Sequence, residues 1–216
     1  MSGLAARIAS RFERYGLAVS DAEIEQLTAY FGLLTKWNRT VNLTSVALDP
    51  ASDNAIDRIL TEPVVAAAQL KGSTGLLVDL GSGGGSPAIP LRIMAPAMRV
   101  VMIEAKNRKS AFLREAVRHL NLADTEVLTG RFEDAVSVPD LAGNAAWLSV
   151  RAVRADLAFW NSASALIAPG GKVLWFRSVA DPINRNDFSS RFDVATQEAF
   201  PAPISGELVV LAAKLP

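Results

Sequence analysis

An acid, three glycines and a second acid are spaced along residues 78–104 in a way that suits an adenosine-bearing cofactor. The stretch Val78-Asp79-Leu80-Gly81-Ser82-Gly83-Gly84-Gly85-Ser86 follows the apolar Leu76 and Leu77 and leads into Ile89, Leu91 and Ile93, a strand running through a turn into a helix. Glycines at 81, 83 and 85 let the backbone bend sharply and approach a ligand with no Cβ in the way. A second apolar run, Val100-Val101-Met102-Ile103, ends in Glu104. An acid about 20 residues beyond a strand–glycine–helix turn can accept hydrogen bonds from a ribose hydroxyl pair.

Two cofactors fit that outline, and the details separate them. A dinucleotide fold places glycine or alanine five positions after the first glycine, at the contact between helix and strand. Here that position is Ser86. Asp79, two residues before Gly81, would repel a pyrophosphate, whereas it suits the sulfonium and ammonium groups of S-adenosylmethionine. The plainer alternative, a strand–turn–helix with no ligand, leaves the common register of Asp79, the glycines and Glu104 unexplained. The expected ligand is therefore the methyl donor.

The elements that must hold these residues follow from periodicity. From Gly75 onward strands are expected at 75–80, 99–104, 125–129, 145–150 and 172–177, and helices at 87–95, 107–120, 132–137 and 154–168. Strands separated by helices imply a parallel sheet covered on both faces. Residues 192–200 and 207–213 read as an antiparallel hairpin at one edge. Asp79, Glu104, residues 130–133 and residues 149–151 then all fall at the carboxyl ends of strands, where such sheets bind ligands. Upstream, Leu4, Ile8 and Phe12 form one helical stripe. Ser20-Asp21-Ala22-Glu23 is a capping box opening a helix that ends near Trp37-Asn38. A further helix is expected after Asp53, ending before Pro63 or running through it. The expected organisation is a helical extension over 1–70 packed on an α/β domain over 71–216.

Composition narrows the function classes. The chain has 216 residues, half of them hydrophobic, and no cysteine. That excludes a disulfide scaffold, a thiolate nucleophile and cysteine-based zinc sites, and no metal is expected. Residues 1–19 carry Arg7, Arg11, Glu13 and Arg14, unlike a secretory signal. No stretch approaches the roughly 18 apolar residues of a membrane span, so the expected location is the cytoplasm. Formal charge is zero, from 22 basic and 22 acidic side chains, yet its distribution is uneven. Lys106, Arg108, Lys109, Arg114 and Arg118 face only Glu115 between residues 106 and 118. Placed beside the ribose-binding acid, they are candidates for phosphate contacts; the bland alternative is a solvated helix face.

Beyond these readings, Lys36-Trp37-Asn38-Arg39-Thr40-Val41-Asn42-Leu43-Thr44-Ser45 resembles the N-terminal signature of the RsmG family, also called GidB. The similarity continues through Asp79–Leu91, Glu104–Leu113, Gly130-Arg131-Phe132-Glu133, Ser149-Val150-Arg151-Ala152 and Pro169–Arg177. That family methylates N7 of a guanine in bacterial small-subunit (16S) ribosomal RNA. The resemblance implies a class I, Rossmann-like methyltransferase fold. Gly81 and Ser86 would lie on the methionine side of the cofactor, Glu104 on the ribose, and Phe132 and Glu133 beside the adenine. Arg151 is implied to lie at the cofactor site and to contact RNA, joining Lys106, Arg108, Lys109 and Arg114. The partner would be ribosomal RNA, as the small subunit or its precursor, and the protein a monomer.

The chain departs from the family pattern in three places. Asp57-Arg58-Ile59-Leu60-Thr61-Glu62 stands where the family usually reads Arg-His-Ile-Leu-Asp-Ser. Arg177-Ser178 replaces Lys-Gly, and Ser205-Gly206-Glu207 lacks the arginine often found before the last strand. These places would shape or support the RNA side.

Methyl transfer from a sulfonium needs alignment more than proton transfer, because guanine N7 already carries an in-plane lone pair. No side chain is expected as an indispensable general base, and His119, the one histidine, is expected to be a bystander. In A-form RNA the groove that displays N7 is deep and narrow, so the base must be unpaired or splayed out. Trp37 could stack on such a base, although packing of its helix onto the sheet is the simpler role. The residues alone leave the acceptor open: another RNA or a small molecule, or no reaction at all in an RNA-binding or ribosome-assembly factor that has kept the fold.

Overall fold

A computed structural model describes residues 3–214; residues 1–2 and 215–216, at the outer ends of the expected 1–70 and 71–216 division, lie outside it. Seven strands form one sheet in the order β3-β2-β1-β4-β5-β7-β6. They are β1 (Gly75–Leu80), β2 (Met98–Glu104), β3 (Thr125–Thr129), β4 (Ala145–Arg151), β5 (Ile167–Arg177), β6 (Phe192–Ala199) and β7 (Glu207–Ala213). The first five run parallel, and the hairpin β6–β7 closes the edge antiparallel, with β7 between β5 and β6. The α/β architecture is the expected one. Strand order reverses between β1 and β4, and the crevice at their carboxyl ends is where open α/β sheets take ligands.

Alternation along the strands builds two cores. Leu77, Val100, Met102, Trp147, Leu174 and Val210 face one side and pack with the N-terminal helices. Leu76, Val78, Val101, Leu148, Val173 and Val209 face the other. The first layer holds α1 (Gly3–Arg14), α2 (Asp21–Val41), α5 (Ala88–Met94) and α6 (Asn107–His119). The second holds α7 (Phe132–Ala135) and α8 (Leu157–Leu166), where Phe159, Trp175, Phe188 and Phe192 surround the fully buried Trp160.

Three of the boundaries that differ from expectation have clear local reasons. Helix α2 opens on the capping box at Ser20 and runs past Asn38 to Val41, ending on Asn42 in the left-handed conformation, which asparagine tolerates. Strand β5 begins at Ile167 rather than Lys172 because Ile167 pairs with Ala145 before a bulge carries the chain round Gly170 to Lys172. Helix α8 starts at Leu157 because Asp156 caps it, accepting from the Phe159 N–H at 3.1 Å.

Helix continues through Pro63, at the cost of regularity. Asp53–Ile56 (α3) passes into a π-helical turn, Asp57–Thr61, then Glu62–Ala66 (α4) with the proline in its first turn. Proline has no N–H to give to the carbonyl four residues back, and that carbonyl belongs to Ile59. It accepts instead from Ser86 Oγ at 2.8 Å. The π turn is pinned from below by α1, since Arg11 donates to both carboxylate oxygens of the buried Asp57. Backbone carbonyls of residues 58 and 59 thereby face the end of the glycine turn.

Candidate functional site

A cavity of about 280 Å³ opens at the carboxyl ends of β1 and β2. Gly81, Ser82, Gly83, Gly84 and Ser86 line one wall, with Glu104 and Lys109 beside them. The turn is set by backbone pairing: the Gly81 and Ser82 N–H groups both donate to Ile103 O at 3.0 Å. Gly81 sits at φ +76, and a Cβ there would come within 2.8 Å of Val153 Cγ2. Gly85, at φ +88, serves packing instead, because its Cβ would strike Ile89 at 2.6 Å.

Glu104 is held in place at the cavity by two backbone amides. Its Oε2 accepts from the Gly83 N–H at 2.9 Å and its Oε1 from the Lys106 N–H at 2.8 Å. A carboxylate has about four acceptor sites, so two remain for a vicinal diol. Asp79 lies deeper, 1 % exposed, beneath the cavity rather than lining it. Its Oδ1 accepts from Ser149 Oγ at 2.5 Å, while its Oδ2 has no partner. Burial pushes its carboxyl up to about 6, against the hydrogen bonds from Ser149 and Ser82. An orphaned carboxylate oxygen under a glycine cradle, with a clamped acid beside it, fits a cationic amino-acid–ribose ligand such as S-adenosylmethionine.

The opposite wall comes from residues that local pattern did not single out as site residues. Leu43, Thr44, Ser45 and Val46 line it, as do Tyr30, Arg58 and Ile59. Asn38 shapes this loop: its Oδ1 accepts from the Leu43 and Thr44 N–H groups at 2.7 and 2.9 Å. Tyr30 donates its hydroxyl to Gly84 O at 2.7 Å, tying α2 to the glycine turn. The Trp-Asn…Asn-Leu-Thr segment thus builds this wall. Trp37 itself packs on Phe112, ring centroids 5.8 Å apart.

Arg151 lines the cavity from the end of β4. Its side chain is 8 % exposed and lies 4.5 Å over the Phe176 ring. It donates to Arg58 O, to Ser86 Oγ at 3.2 Å and to Glu62 Oε2 at 3.0 Å, leaving Nε unpaired. Glu62 also accepts from Arg58 at 2.9 Å, so one carboxylate bridges two guanidiniums. Burial lowers Arg151 to about 10 and raises Glu62, each against the attraction of its partner. Two positions at which the chain departs from the family pattern, 58 and 62, are therefore partners of each other and of Arg151. Two more, Arg177 and Glu207, form a second buried ion pair.

The remaining candidates lie outside this cavity. Phe132 packs edge-on against Phe159 at 5.3 Å, and Glu133 pairs with Arg131 at the start of α7. On α6, Arg108 reaches Thr40 O at 3.2 Å and Arg114 holds Thr129 Oγ1 at 2.6 Å. Lys106 is exposed beside the rim. His119 is exposed in the last turn of α6. No cluster of three metal-ligating side chains occurs among the described residues, and none of their helices is long and apolar enough to cross a membrane.

The sheet order with its antiparallel last strand, and the glycine turn with its distal acid, define an S-adenosylmethionine-dependent methyltransferase. The same fold recurs in the solved structure of MtNAS in complex with MTA and tNA, with a TM-score of 0.61 at 14% identity, covering 88% of this chain and 73% of that one. The family described as rRNA small subunit methyltransferase G (GidB) matches residues 23–207, and the chain belongs to it. Ribosomal RNA small subunit methyltransferase G of Burkholderia thailandensis is 36% identical over 180 residues, 82% of this chain and 76% of the relative. The protein of that name from Xanthomonas oryzae pv. oryzae is 34% identical over 156 residues, 71% and 68% of the two chains.

Proposed function

We propose that this protein transfers a methyl group from S-adenosylmethionine to N7 of a guanine in small-subunit ribosomal RNA. The observation that carries this reading is the cavity at the β1–β2 ends, where the glycine turn and Glu104 meet the loop shaped by Asn38. S-adenosylmethionine, when bound, supplies a methyl carbon on a cationic sulfur. Glu104 would take the ribose hydroxyls, and Gly81, Gly83 and Ser86 would follow the methionine portion. Gly85 would fix the turn by packing. Asp79 would answer the positive charge from below. The adenine is assigned to the β3 side of Glu104, where Phe132 and Glu133 start α7.

The chain's own task is then alignment. A bond forms from guanine N7 to the methyl carbon as the carbon–sulfur bond breaks, and the positive charge passes to the purine. The N7 lone pair carries no proton, so no group has to remove one before attack. Holding the reacting atoms about 3–3.5 Å apart can supply much of the rate enhancement. Lys109 lines the cavity and Lys106, Arg108 and Arg114 lie along α6 outside it; all four would take phosphates. Arg151, backed by the buried Glu62, would set the wall between donor and acceptor and meet RNA only at the base.

The substrate would be the small subunit or its precursor in the bacterial cytoplasm, and the protein would act as a monomer with 1–70 as an extension of the 71–216 domain. Borohydride/aniline cleavage of ribosomal RNA from a deletion strain and its parent tests the reading, because strand scission reports N7-methylguanine. Scission in the parent, its loss in the deletion strain and its return on complementation are expected; equal scission in both strains would reject it.

A further inference from the structure

A second cavity, of about 300 Å³, lies beside the first at the ends of β4 and β5. Arg58 and Ala152 border both. Trp175, Arg177, Asp181 and Asp187 border only the second. Arg177 is the anchor of its outer wall. Its side chain is 5 % exposed, pairs with Glu207, donates to the Asp181 carbonyl and keeps Nε unpaired. The segment 178–187 is thus tied down at Asp181, while the carboxylates of Asp181 and Asp187 have neither a hydrogen bond nor an ion pair. Two free acids in the wall of a cavity are unusual in a protein whose partner is a polyanion. Arg58 and Arg177 on the same lining are already paired with Glu62 and Glu207, so the two acids are the unanswered charges of this wall and suit an occupant that presents hydrogen-bond donors.

Resting on the function proposed above, we propose that this second cavity receives the acceptor guanine, with Asp181 and Asp187 accepting from the N1–H and N2–H groups of its Watson–Crick edge. N7 and the Watson–Crick edge lie on opposite sides of a purine. A base that points N7 through the wall shared by Arg58 and Ala152 turns N1 and N2 towards segment 178–187. Adenine would present an acceptor nitrogen to the same carboxylates and be refused. The contact also strengthens during reaction. As N7 gains the methyl group the purine becomes cationic and its N1–H a better donor, and an interaction stronger in the transition state than in the ground state raises the rate of transfer.

The test turns on sign. If these carboxylates are bystanders, Asp181→Asn and Asp187→Asn remove negative charge near an RNA and leave or improve its binding. If they read the base, kcat/KM for small subunits from the deletion strain falls about 10–100-fold in the double variant, the range of a good bidentate base contact. The affinity for S-adenosylmethionine, measured by calorimetry, stays at the wild-type value and shows that the variant is folded. Unchanged or increased kcat/KM in the double variant, with the wild-type protein active, overturns this inference alone. No transfer by the wild-type protein to those subunits overturns the proposed function and this inference together.

Discussion

The two halves of the crevice are built from different materials. On the β1–β2 side the wall is backbone: glycine N–H groups, the Ile103 carbonyl and one carboxylate that accepts from two amides. On the β4–β5 side the wall is buried ion pairs, Arg151–Glu62–Arg58 and Arg177–Glu207. A backbone wall can be carried by one short segment. An ion-pair wall needs side chains from distant segments, and a change in one charge needs an answering change in another. The departures at 177 and 207 answer each other as one ion pair, and those at 58 and 62 meet Arg151 as two guanidiniums on one carboxylate. The opposite shifts of Arg151 and Glu62, both away from the charged form, say that burial outweighs their attraction. Such a pair fixes geometry without adding much net stability.

That contrast is sharpest at Glu62. Glu62→Ala leaves Arg151 buried without its counter-charge, and loss of one partner of a buried pair destabilises by about 3–5 kcal/mol. Urea denaturation should show the midpoint falling by that equivalent. The double change Glu62→Leu with Arg151→Met should recover most of the stability, since apolar replacement of both partners is close to neutral, yet transfer to RNA should remain lost. An unmoved midpoint for Glu62→Ala would erase the distinction between the two walls.

Glu104→Ala probes the other side and should read out in binding. Two hydrogen bonds from backbone amides and those to the ribose disappear together. Hydrogen bonds to a charged group contribute about 1.5–3 kcal/mol, so calorimetry should show the affinity for S-adenosylmethionine reduced about 10–100-fold. Gly81→Ala should act in the same direction, because a residue with Cβ is strained at φ +76 and meets Val153.

Asp79 gives a pH signature to the donor side. Its carboxyl is raised by burial to about 6, above the unfolded value. Its contribution to stability is therefore present below the unfolded value near 4 and lost as pH rises through about 6. A cationic ligand prefers the ionised form, so its affinity should rise over the same interval. Calorimetry from pH 5 to 7.5 should show that rise in the wild-type protein and a flat profile in Asp79→Asn. A parallel rise in both would place the titration elsewhere.

The same division separates what is legible in the amino-acid sequence from what is not. Strand positions, the glycine turn and Glu104 follow local rules of period two and left-handed glycine, and β1 and β3 fall where periodicity puts them. The facing wall does not, because Arg151 meets Arg58 across 93 residues and Glu62 across 89. One local signal does point to it. Pro63 inside a helix implies an unpaired carbonyl at Ile59, and Ser86, singled out by its place after the glycines, is the donor that fills it. Asn38 carries no such signal, since its partners are amides of a loop that exists only once α2 has ended at Asn42. Phe132 and Glu133, assigned to the adenine by resemblance, start α7 one strand beyond the cavity.

The smallest effect belongs to the residue that acid–base intuition would choose first. His119 lies on neither wall; it is exposed in the last turn of α6, where a cation or a neutral ring is tolerated by the helix end. If transfer depends on alignment by the two walls, His119→Ala should change stability by no more than about 0.5 kcal/mol, as exposed positions do. Turnover on small subunits should stay within about twofold of wild type, a change worth less than about 0.5 kcal/mol in the barrier. A tenfold loss of kcat with unchanged affinity for S-adenosylmethionine would mean that a proton is being moved after all. The acceptor atom would then have to be one that carries a hydrogen, and N7 would be the wrong nitrogen.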